Sequence, residues 1–448
     1  MNIHFIAIGG AIMHQLAIAL KNKGNIITGS DDEINNPAKD NLAKENLLPQ
    51  DNGWFPEKIT NNIDAIILGM HAKADNPELL QAQALNIPIY SFPEYIYEVS
   101  KDKLRVVVAG SHGKTTTTSM IMHALRINGL DFDYMVGAKV AGFDQSVRLS
   151  NAPIIILEGD EYPASVIEKR PKIHFYKPNI SILTGIAWDH VNVFPTYDNY
   201  FHQFELYLKE FTSKDTLIYC AEDKEVQRLI ENPEWVAQKQ AYTTPSFTIV
   251  DSHSAIEYQG KTYYFSVFGN HNIQNMEAAR QVCNALGIDT AAFYEAMTTF
   301  EGAARRFEKI SERTNFISFR DFAHAPSKLR ATLKGAREQF KNHYIIGVFE
   351  LHTFSSLSQS FLSEYENSMN PCDAAAVFYS NHALALKRLP ELDPQVVKDA
   401  FNRLDLNIYS DNALLQQWIQ EQIAINTDKP ICLLLMSSGT FDGMALTF

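Results

Sequence analysis

The residues best suited to chemistry lie in a short loop around Lys114. Residues 110–117 read Gly-Ser-His-Gly-Lys-Thr-Thr-Thr and directly follow four apolar residues. Glycines allow backbone N–H groups to face one concave space, a lysine adds a full positive charge, and the Thr115 hydroxyl is a ligand for Mg²⁺. The loop therefore predicts a site for a nucleoside triphosphate, although the strict pattern would have glycine in place of Val108. A plain strand-to-helix turn is the alternative.

A second pair of glycines lies near the N-terminus. Gly9 and Gly10 end a predicted strand over residues 3–8 and precede a predicted helix over residues 12–22, an arrangement that suits a diphosphate. Asp31 follows about 20 residues later, where an acid binds a ribose in dinucleotide sites. The full GxGxxG pattern is absent, so an ordinary turn at residues 30–32 stays open.

Parallel strands must position both loops. Short apolar runs alternate with helix-length amphipathic segments through most of the chain, which predicts an α/β fold with parallel sheets. A strand over residues 104–108 and a helix over residues 115–127 should flank the Lys114 loop. The length of 448 residues predicts two to four domains, and we take three as the starting count. They are a Rossmann-like segment 1–100, a central P-loop-type segment 101–301 and a second Rossmann-like segment 302–448.

Composition narrows the classes of function. The formal charge of −13 argues against a general affinity for nucleic acids. The cysteines are far apart and form no CxxC pair, which indicates neither a zinc site nor a disulfide scaffold and fits a reducing compartment. Apolar runs fall short of the roughly 20 residues of a membrane helix, and the N-terminus lacks the basic region of a signal peptide. We expect a cytoplasmic protein with no nucleic-acid or membrane partner.

The Lys114 loop resembles that of the Mur ligases, and further matches follow in the order of that family. The resemblance covers essentially the whole chain. Its motifs are Glu158-Gly159-Asp160-Glu161, Trp188-Asp189-His190, His271-Asn272-Ile273-Gln274-Asn275, Gly302-Ala303-Ala304-Arg305-Arg306 and Asp321-Phe322-Ala323-His324-Ala325-Pro326.

The resemblance implies an ATP-dependent ligase that joins a carboxylate to an amine through an acyl phosphate, with ATP and Mg²⁺ as cofactors. Lys114, Glu158 and His190 would be the catalytic residues. Thr115 and Glu158 would hold one Mg²⁺, and His190 would help to hold a second metal, for which manganese is the alternative. Outside this context Glu158 could be a solvated loop acid and His190 a structural histidine.

The resemblance also implies the residues that bind ATP and the other substrates, which are a UDP-sugar and an amino acid or peptide. The predicted ATP contacts are Gly110, Ser111, His112, Gly113, Lys114, Thr115, Thr116, His271, Asn272, Asn275, Arg306 and Asp321. The predicted contacts of the UDP-sugar and the acceptor are Gly9, Gly10, Asp31, Asp160, Glu161 and His324. The alternatives are purely structural roles: an N-cap for Asn272, an interdomain salt bridge for Arg306, and capping of the next segment by Asp160 and Glu161.

Within the family, the stretch from Asp160 through Lys172 to His190 resembles the ligases that attach the preformed tripeptide L-alanyl-γ-D-glutamyl-meso-diaminopimelate to UDP-N-acetylmuramate. Ligases that add L-alanine typically have serine where Tyr162 stands, and L-alanine stays open as the alternative acceptor. A nucleotide-binding ATPase or regulator is the alternative from another class. The oligomeric state is open between a monomer and a weak dimer.

The chain departs from the family pattern in three places. Ala7 stands where glycine is usual, and Ala325 replaces a common second histidine. Thr353 lies in a segment, residues 351–356, that lacks the arginines often found there. The predicted acceptor contacts of the last domain therefore rest on fewer matches than the ATP contacts.

Overall fold

A computed structural model describes residues 1–250 and 253–448, and its elements confirm the α/β class. The chain divides into two compact units. The first contains residues 1–186, 201–242 and 278–289, and the second contains residues 187–200, 243–277 and 290–448. Each of the four sheets lies within one of the three predicted segments, whose boundaries stay predictions. No helix in the described ranges is long and apolar enough to span a bilayer.

The first sheet is parallel throughout. Its elements are β1 (Asn2–Ile6), α1 (Met13–Asn22), β2 (Ile26–Ser30), α2 (Ala38–Lys44), β3 (Ala65–Leu68), α3 (Pro77–Ala84), β4 (Ile89–Ser91) and α4 (Phe92–Ser100). The strand order is β2-β1-β3-β4. All four residues of β3 are buried, as expected for a parallel strand covered on both faces. The turn with Gly9 and Gly10 therefore lies at the carboxyl end of a central strand.

The first strand ends at Ile6, two residues earlier than the sequence predicts. The reason is Ala7, which has a left-handed backbone with φ +67° and donates its N–H to the Ser30 carbonyl at 2.9 Å. An L-residue in this region is strained by about 1–2 kcal/mol, and glycine is not. The departure at position 7 thus places a methyl group where the backbone favours glycine.

We expect Ala7→Gly to relieve this strain. Ala17 is a matched control because it is also a buried alanine, but it lies inside helix α1, where glycine is unfavourable. Both variants lose one buried methyl, but only Ala7→Gly relieves strain. Its free energy of unfolding should therefore be about 1–2 kcal/mol higher than that of Ala17→Gly. Urea denaturation followed by circular dichroism measures the difference. Equal losses in both variants would show that Ala7 is not strained.

The second sheet carries the Lys114 loop. Its elements are β5 (Leu104–Ala109), α5 (Lys114–Ile127), β6 (Phe132–Met135), β7 (Val147–Arg148), β8 (Ile154–Glu158), β9 (Ile180–Leu183), α6 (Tyr197–Lys209), β10 (Thr216–Cys220), α7 (Lys224–Ile230) and β11 (Gln238–Tyr242). The strand order is β11-β10-β9-β5-β8-β6-β7, and the short β7 is antiparallel to β6. Because β5, β8 and β9 are parallel neighbours, the residues that follow them meet at one edge.

A small antiparallel sheet and two helices follow the second sheet. Its elements are β12 (Thr248–Val250), β13 (His253–Tyr258), β14 (Lys261–Phe265), α8 (Asn270–Ala285) and α9 (Thr290–Met297). Helix α8 begins at Asn270, so the predicted ATP contacts His271, Asn272 and Asn275 lie in its first two turns. Gly269, directly before this helix, has φ +82°.

The last sheet has six strands in the order β15-β16-β20-β17-β18-β19, and all are parallel except β15. The elements are β15 (Glu308–Arg313), β16 (Phe316–Asp321), α10 (Pro326–Gln339), β17 (Tyr344–Leu351), α11 (Phe354–Leu357), β18 (Ala374–Tyr379), α12 (Asn381–Leu386), α13 (Pro394–Phe401), β19 (Asn407–Tyr409), α14 (Asn412–Ile425) and β20 (Ile431–Met436). Alternate residues of β17 pack into two hydrophobic clusters, one with α10 and α13 and the other with α14. Helices thus cover both faces of this sheet.

Candidate active site

The Lys114 loop connects β5 to α5 through two glycines with left-handed backbones. Gly113 has φ +74° and immediately precedes the helix. Gly110 has φ +119°, and a Cβ there would lie 2.3 Å from the Thr184 hydroxyl oxygen. The loop thus needs glycine at position 110 for both backbone conformation and space. It ends at the N-terminus of a 14-residue helix, where backbone N–H groups and the helix dipole favour an anion.

The side chain of Lys114 lies among carboxylates. Its Nζ donates to Glu161 Oε2 at 2.7 Å and to the Gly110 carbonyl at 2.5 Å. Burial alone would lower the pKa of Lys114, but the charges of Glu161, Asp160 and Glu158 outweigh it and raise the pKa. Lys114 is therefore a cation at neutral pH and is held at the mouth of the loop.

Thr115 and Glu158 form the second polar pair of the loop. The Thr115 hydroxyl donates to Glu158 Oε1 at 2.7 Å, and the Gly137 N–H donates to Glu158 Oε2 at 2.8 Å. Residues 1–250 and 253–448 contain no group of three or more His, Cys, Asp or Glu side chains arranged to hold a metal. Mg²⁺, however, usually takes one or two protein carboxylates and completes its shell with water and phosphate oxygens. A hydroxyl and a carboxylate in contact beside a phosphate loop fit that ion.

The segment after Glu158 is held by an ion pair that the sequence did not predict. Lys172 Nζ lies 2.5 Å from Asp160 Oδ2, and Asp160 Oδ1 accepts the Tyr162 N–H at 3.2 Å. The Lys172 ammonium also lies 5.8 Å from the centre of the Tyr162 ring and 5.4 Å from that of Phe92. Asp160 therefore restrains the loop that begins at the carboxyl end of β8. No spacing rule connects two residues on either side of an irregular loop.

Near the N-terminus, Gly9 and Asp31 are in direct contact. The Gly9 N–H donates to Asp31 Oδ2 at 2.7 Å, and a Cβ on Gly9 would lie 2.9 Å from the same oxygen. The Gly10 carbonyl accepts the His14 N–H at 3.0 Å. Burial raises the pKa of Asp31, although the Gly9 hydrogen bond opposes this effect. The two predicted elements of the UDP-sugar site thus lie together, and a ribose contact by Asp31 stays a prediction.

In the second unit, His190 follows a buried acid. His190 has φ +56°, and its N–H donates to Asp189 Oδ1 at 2.7 Å. The other oxygen of Asp189 lies 3.5 Å from Lys328 Nζ and 3.7 Å from His324 Nε2. Burial would raise the pKa of Asp189, but Lys328 and the two histidines lower it well below its usual value. Asp189 is therefore a carboxylate that joins His190 to helix α10.

Asp321 ends strand β16 and binds three neighbouring segments. Its Oδ2 accepts the Phe307 N–H at 2.8 Å, and its Oδ1 accepts the Ala323 N–H and the Thr332 hydroxyl, both at 2.9 Å. These contacts fix the 302–308 linker against the last sheet. The predicted ATP contact of Asp321 therefore stays a prediction beside this structural role. Arg306, in the same linker, has its guanidinium 4.5 Å from the centre of the Phe322 ring.

The start of α8 holds three of the predicted ATP contacts, His271, Asn272 and Asn275. The His271 ring packs between Gly269 and Gly335, at positions where a Cβ would lie 3.0 Å and 3.4 Å from it. Burial lowers the pKa of His271, and the charge of Asp321 opposes this effect. Asn272 Nδ2 donates to the Phe268 carbonyl at 2.9 Å, whereas Asn275 is buried one turn later. The histidine is thus held as a neutral ring.

Thr353 has a local structural role. Its hydroxyl accepts the Ser356 N–H at 3.1 Å and caps the short helix α11. His352, the preceding residue, has Nδ1 3.4 Å from Oε1 of the buried Glu350. The segment that lacks arginines therefore presents a capped helix and a carboxylate–histidine pair at the carboxyl end of β17.

The structure places the predicted residues in groups within each unit. In the first unit it brings Lys114, Thr115, Glu158 and Glu161 together and places Gly9 against Asp31. In the second, Asp189 contacts the His190 N–H and Lys328, and Lys328 also contacts His324. Sequence reasoning named Lys172 only within a resembling stretch and missed its ion pair with Asp160, and it did not name Lys328. Only the position of Lys328 in the first turn of a helix after the Asp321 motif could have suggested it.

Models of known protein families match most of the chain. The model described as "Mur ligase family, catalytic domain" matches residues 2–103, and the model described as "Mur ligase middle domain" matches residues 108–283. A UDP-N-acetylmuramate–L-alanine ligase of Clostridium kluyveri is 30% identical over 386 residues, which cover 82% of this chain and 81% of the relative.

Solved structures share the fold of this chain. The UDP-N-acetylmuramate–alanine ligase MurC of Thermotoga maritima superposes with a TM-score of 0.70 at 22% identity and covers 99% of this chain and 97% of its own. The UDP-N-acetylmuramate:L-alanyl-γ-D-glutamyl-meso-diaminopimelate ligase of Neisseria meningitides has a TM-score of 0.61 at 25% identity. That match covers 67% of this chain and 98% of the Neisseria chain.

Proposed function

The chain belongs to the Mur ligase family, and from this premise we propose that it joins UDP-N-acetylmuramate to the tripeptide L-alanyl-γ-D-glutamyl-meso-diaminopimelate. As a member of this family it is an ATP-dependent ligase that forms amide bonds. The identity of the two joined substrates is the part that we propose. The reaction would return a preformed peptide to a precursor of the cell wall in the cytoplasm.

The chemistry requires activation of the muramoyl carboxylate, because an oxide is too poor a leaving group for attack by an amine. A carboxylate oxygen takes the γ-phosphoryl group of ATP, and ADP leaves. The peptide amine then attacks the carbonyl carbon of the acyl phosphate and loses a proton, and the carbon–oxygen bond to phosphate breaks. The products are the amide, ADP and inorganic phosphate. The main task of the protein is to stabilise the charge on the transferred phosphoryl group in the transition state.

One observation carries the proposal for the phosphoryl-transfer site. The Lys114 ammonium and the Thr115–Glu158 pair lie together at the N-terminus of α5. Lys114 and the helix N–H groups would bind the phosphates, while Thr115 and Glu158 would hold Mg²⁺, which neutralises phosphate charge when bound. His190 would serve a second metal. In this proposal the start of α8, Arg306 and Asp321 also contact ATP. The UDP-sugar is contacted by Gly9, Gly10 and Asp31.

The choice of the tripeptide rests on the segment after Glu158 and on the Neisseria structure. Tyr162 stands where ligases that add L-alanine typically have serine. The Lys172 ammonium, which pairs with Asp160, lies 5.8 Å from the centre of the Tyr162 ring. The Neisseria ligase, whose name states the tripeptide, matches over 98% of its length. L-Alanine is the second candidate, because the Clostridium kluyveri relative named for it is 30% identical. Asp160, Glu161 and His324 would contact the acceptor or the sugar-borne acid in either case.

An acceptor comparison tests the proposal. The protein is incubated with UDP-N-acetylmuramate, ATP and Mg²⁺, and phosphate release is measured with the tripeptide and with L-alanine. We expect a kcat/KM for the tripeptide about 100-fold or more above that for L-alanine, because a site built for polar groups rejects an acceptor that lacks them. A preference for L-alanine would overturn the choice of acceptor. Equal phosphate release without any acceptor would instead favour an ATPase or regulator.

A further inference from the structure

Lys328 lies in the second unit, two residues after the Asp321–Pro326 motif. It contacts both His324 of that motif and Asp189. It is the third residue of α10, and its Nζ lies 3.2 Å from His324 Nε2 and 3.5 Å from Asp189 Oδ2. The three side chains are largely buried, with exposed fractions of 20% for Lys328, 12% for His324 and 6% for Asp189. A cation in such a place is costly unless it is paired, so the contacts with Asp189 define its position.

The partner carboxylate supports a strained backbone. Asp189 Oδ1 accepts the His190 N–H at 2.7 Å, and the His190 carbonyl accepts the N–H groups of Val193 at 2.8 Å and Phe194 at 2.9 Å. His190 has φ +56°, which costs a residue other than glycine about 1–2 kcal/mol. Such a conformation persists only where neighbouring contacts over-determine it. Asp189 supplies one of those contacts.

The histidine beside Lys328 completes the arrangement. His324 Nδ1 lies 2.8 Å from the Phe322 carbonyl, an acceptor, so the ring donates there. Its Nε2 then accepts from the Lys328 ammonium. The Tyr365 hydroxyl donates to the His324 carbonyl at 2.5 Å and fixes the backbone on the other side. Lys328 is thus a donor to two acceptors, one from the His190 segment and one from the Asp321–Pro326 motif.

We propose that Lys328 is a positioning residue: its ammonium fixes the Asp189 carboxylate, which in turn fixes the His190 backbone and thereby the metal site to which His190 belongs. The inference rests on the proposed role of His190. It adds a residue from helix α10 to the support of that site. Removal of residues that orient a metal ligand commonly lowers metal affinity by about 10- to 100-fold.

A plain structural salt bridge makes a different prediction from a positioning residue. Loss of a structural bridge lowers thermal stability and leaves metal dependence unchanged. Loss of a positioning residue raises the metal concentration that the enzyme needs and leaves the KM for ATP nearly unchanged, because Lys114 and its loop are intact. Metal dependence is therefore the readout that separates the two.

The experiment uses Mn²⁺ as the probe. Binding of Mn²⁺ to the full chain is followed by electron paramagnetic resonance in the presence of a non-hydrolysable ATP analogue, without turnover. We expect Lys328→Met to weaken binding of one Mn²⁺ by about 10-fold or more and Lys328→Arg to restore most of it. Lys334→Met is the matched control, because Lys334 lies on the same helix, is 71% exposed and is 4.0 Å from Glu338. Its Mn²⁺ binding should equal that of the unmodified protein.

Two further variants keep the outcome decisive. If Lys328→Met alone does not fold, Lys328→Met/Asp189→Asn removes both buried charges and should show the same weakened binding. His190→Ala tests the premise separately. Unchanged Mn²⁺ binding in His190→Ala would remove the proposed metal role of His190. Weakened binding in His190→Ala with unchanged binding in Lys328→Met would overturn the inference on Lys328 alone.

Discussion

Replacement of Lys114 by methionine is expected to lower kcat/KM for amide formation by about 10³-fold, the effect of removing a main stabiliser of transition-state charge. The ammonium lies at the N-terminus of α5 and is held by Glu161 and the Gly110 carbonyl. Methionine keeps most of the side-chain volume and removes the charge. Steady-state phosphate release with saturating acceptor measures the loss.

Stability must be separated from catalysis in this variant. Glu161 has an exposed side-chain fraction of only 1%, and loss of the Lys114 ion pair would cost about 3–5 kcal/mol if the carboxylate stayed charged. The variant Lys114→Met/Glu161→Gln removes both charges and should fold while remaining inactive. Lys101→Met is the matched control, since Lys101 forms an exposed pair with Glu98 and should retain full activity. Near-normal turnover in a folded Lys114→Met protein would contradict the role of the loop.

Replacement of Glu158 by glutamine is expected to lower the rate by about 10²-fold and to raise the Mg²⁺ concentration needed for half-maximal rate by about 10-fold or more. The amide has the shape of the carboxylate. Its oxygen would still accept the Gly137 N–H, and its NH₂ group would donate to the Thr115 hydroxyl. The change thus removes charge from the metal site with little change in geometry. Titration of the rate with Mg²⁺ measures both effects.

The control for this variant is Glu98→Gln, which removes an exposed carboxylate from helix α4. It should leave the rate and the Mg²⁺ titration unchanged. A Glu158→Gln enzyme with an unchanged Mg²⁺ titration would show that Glu158 does not bind the metal. An equal loss at every Mg²⁺ concentration would place the residue in another role.

The parts of the site that are local in sequence could be predicted from the sequence. The Lys114 loop depends on glycines, a lysine and a threonine within eight residues, flanked by an apolar strand and a helix, and the structure has these elements within one residue of the predicted bounds. Glu158 could be placed at the edge of the sheet because it directly follows an apolar strand. Both inferences need only the alternation of strands and helices.

The parts that depend on tertiary contacts could not be predicted in this way. Glu161 is 47 residues from Lys114, and Asp189 is 139 residues from Lys328. No spacing pattern relates charges at such separations, since their contact depends on how the intervening segments fold. The backbone of Ala7 is a similar case, because alanine gives no signal of a left-handed conformation. Only the departure from glycine in the resembling family pointed to that position.

The transfer of an oxygen atom tests the central proposal most directly. UDP-N-acetylmuramate is labelled with ¹⁸O in the muramoyl carboxylate, and the inorganic phosphate released in a reaction with unlabelled ATP and acceptor is examined by mass spectrometry. Activation of the carboxylate by the terminal phosphoryl group of ATP at the Lys114 loop predicts that each phosphate released carries an oxygen from the carboxylate. Phosphate free of the label would contradict the proposal.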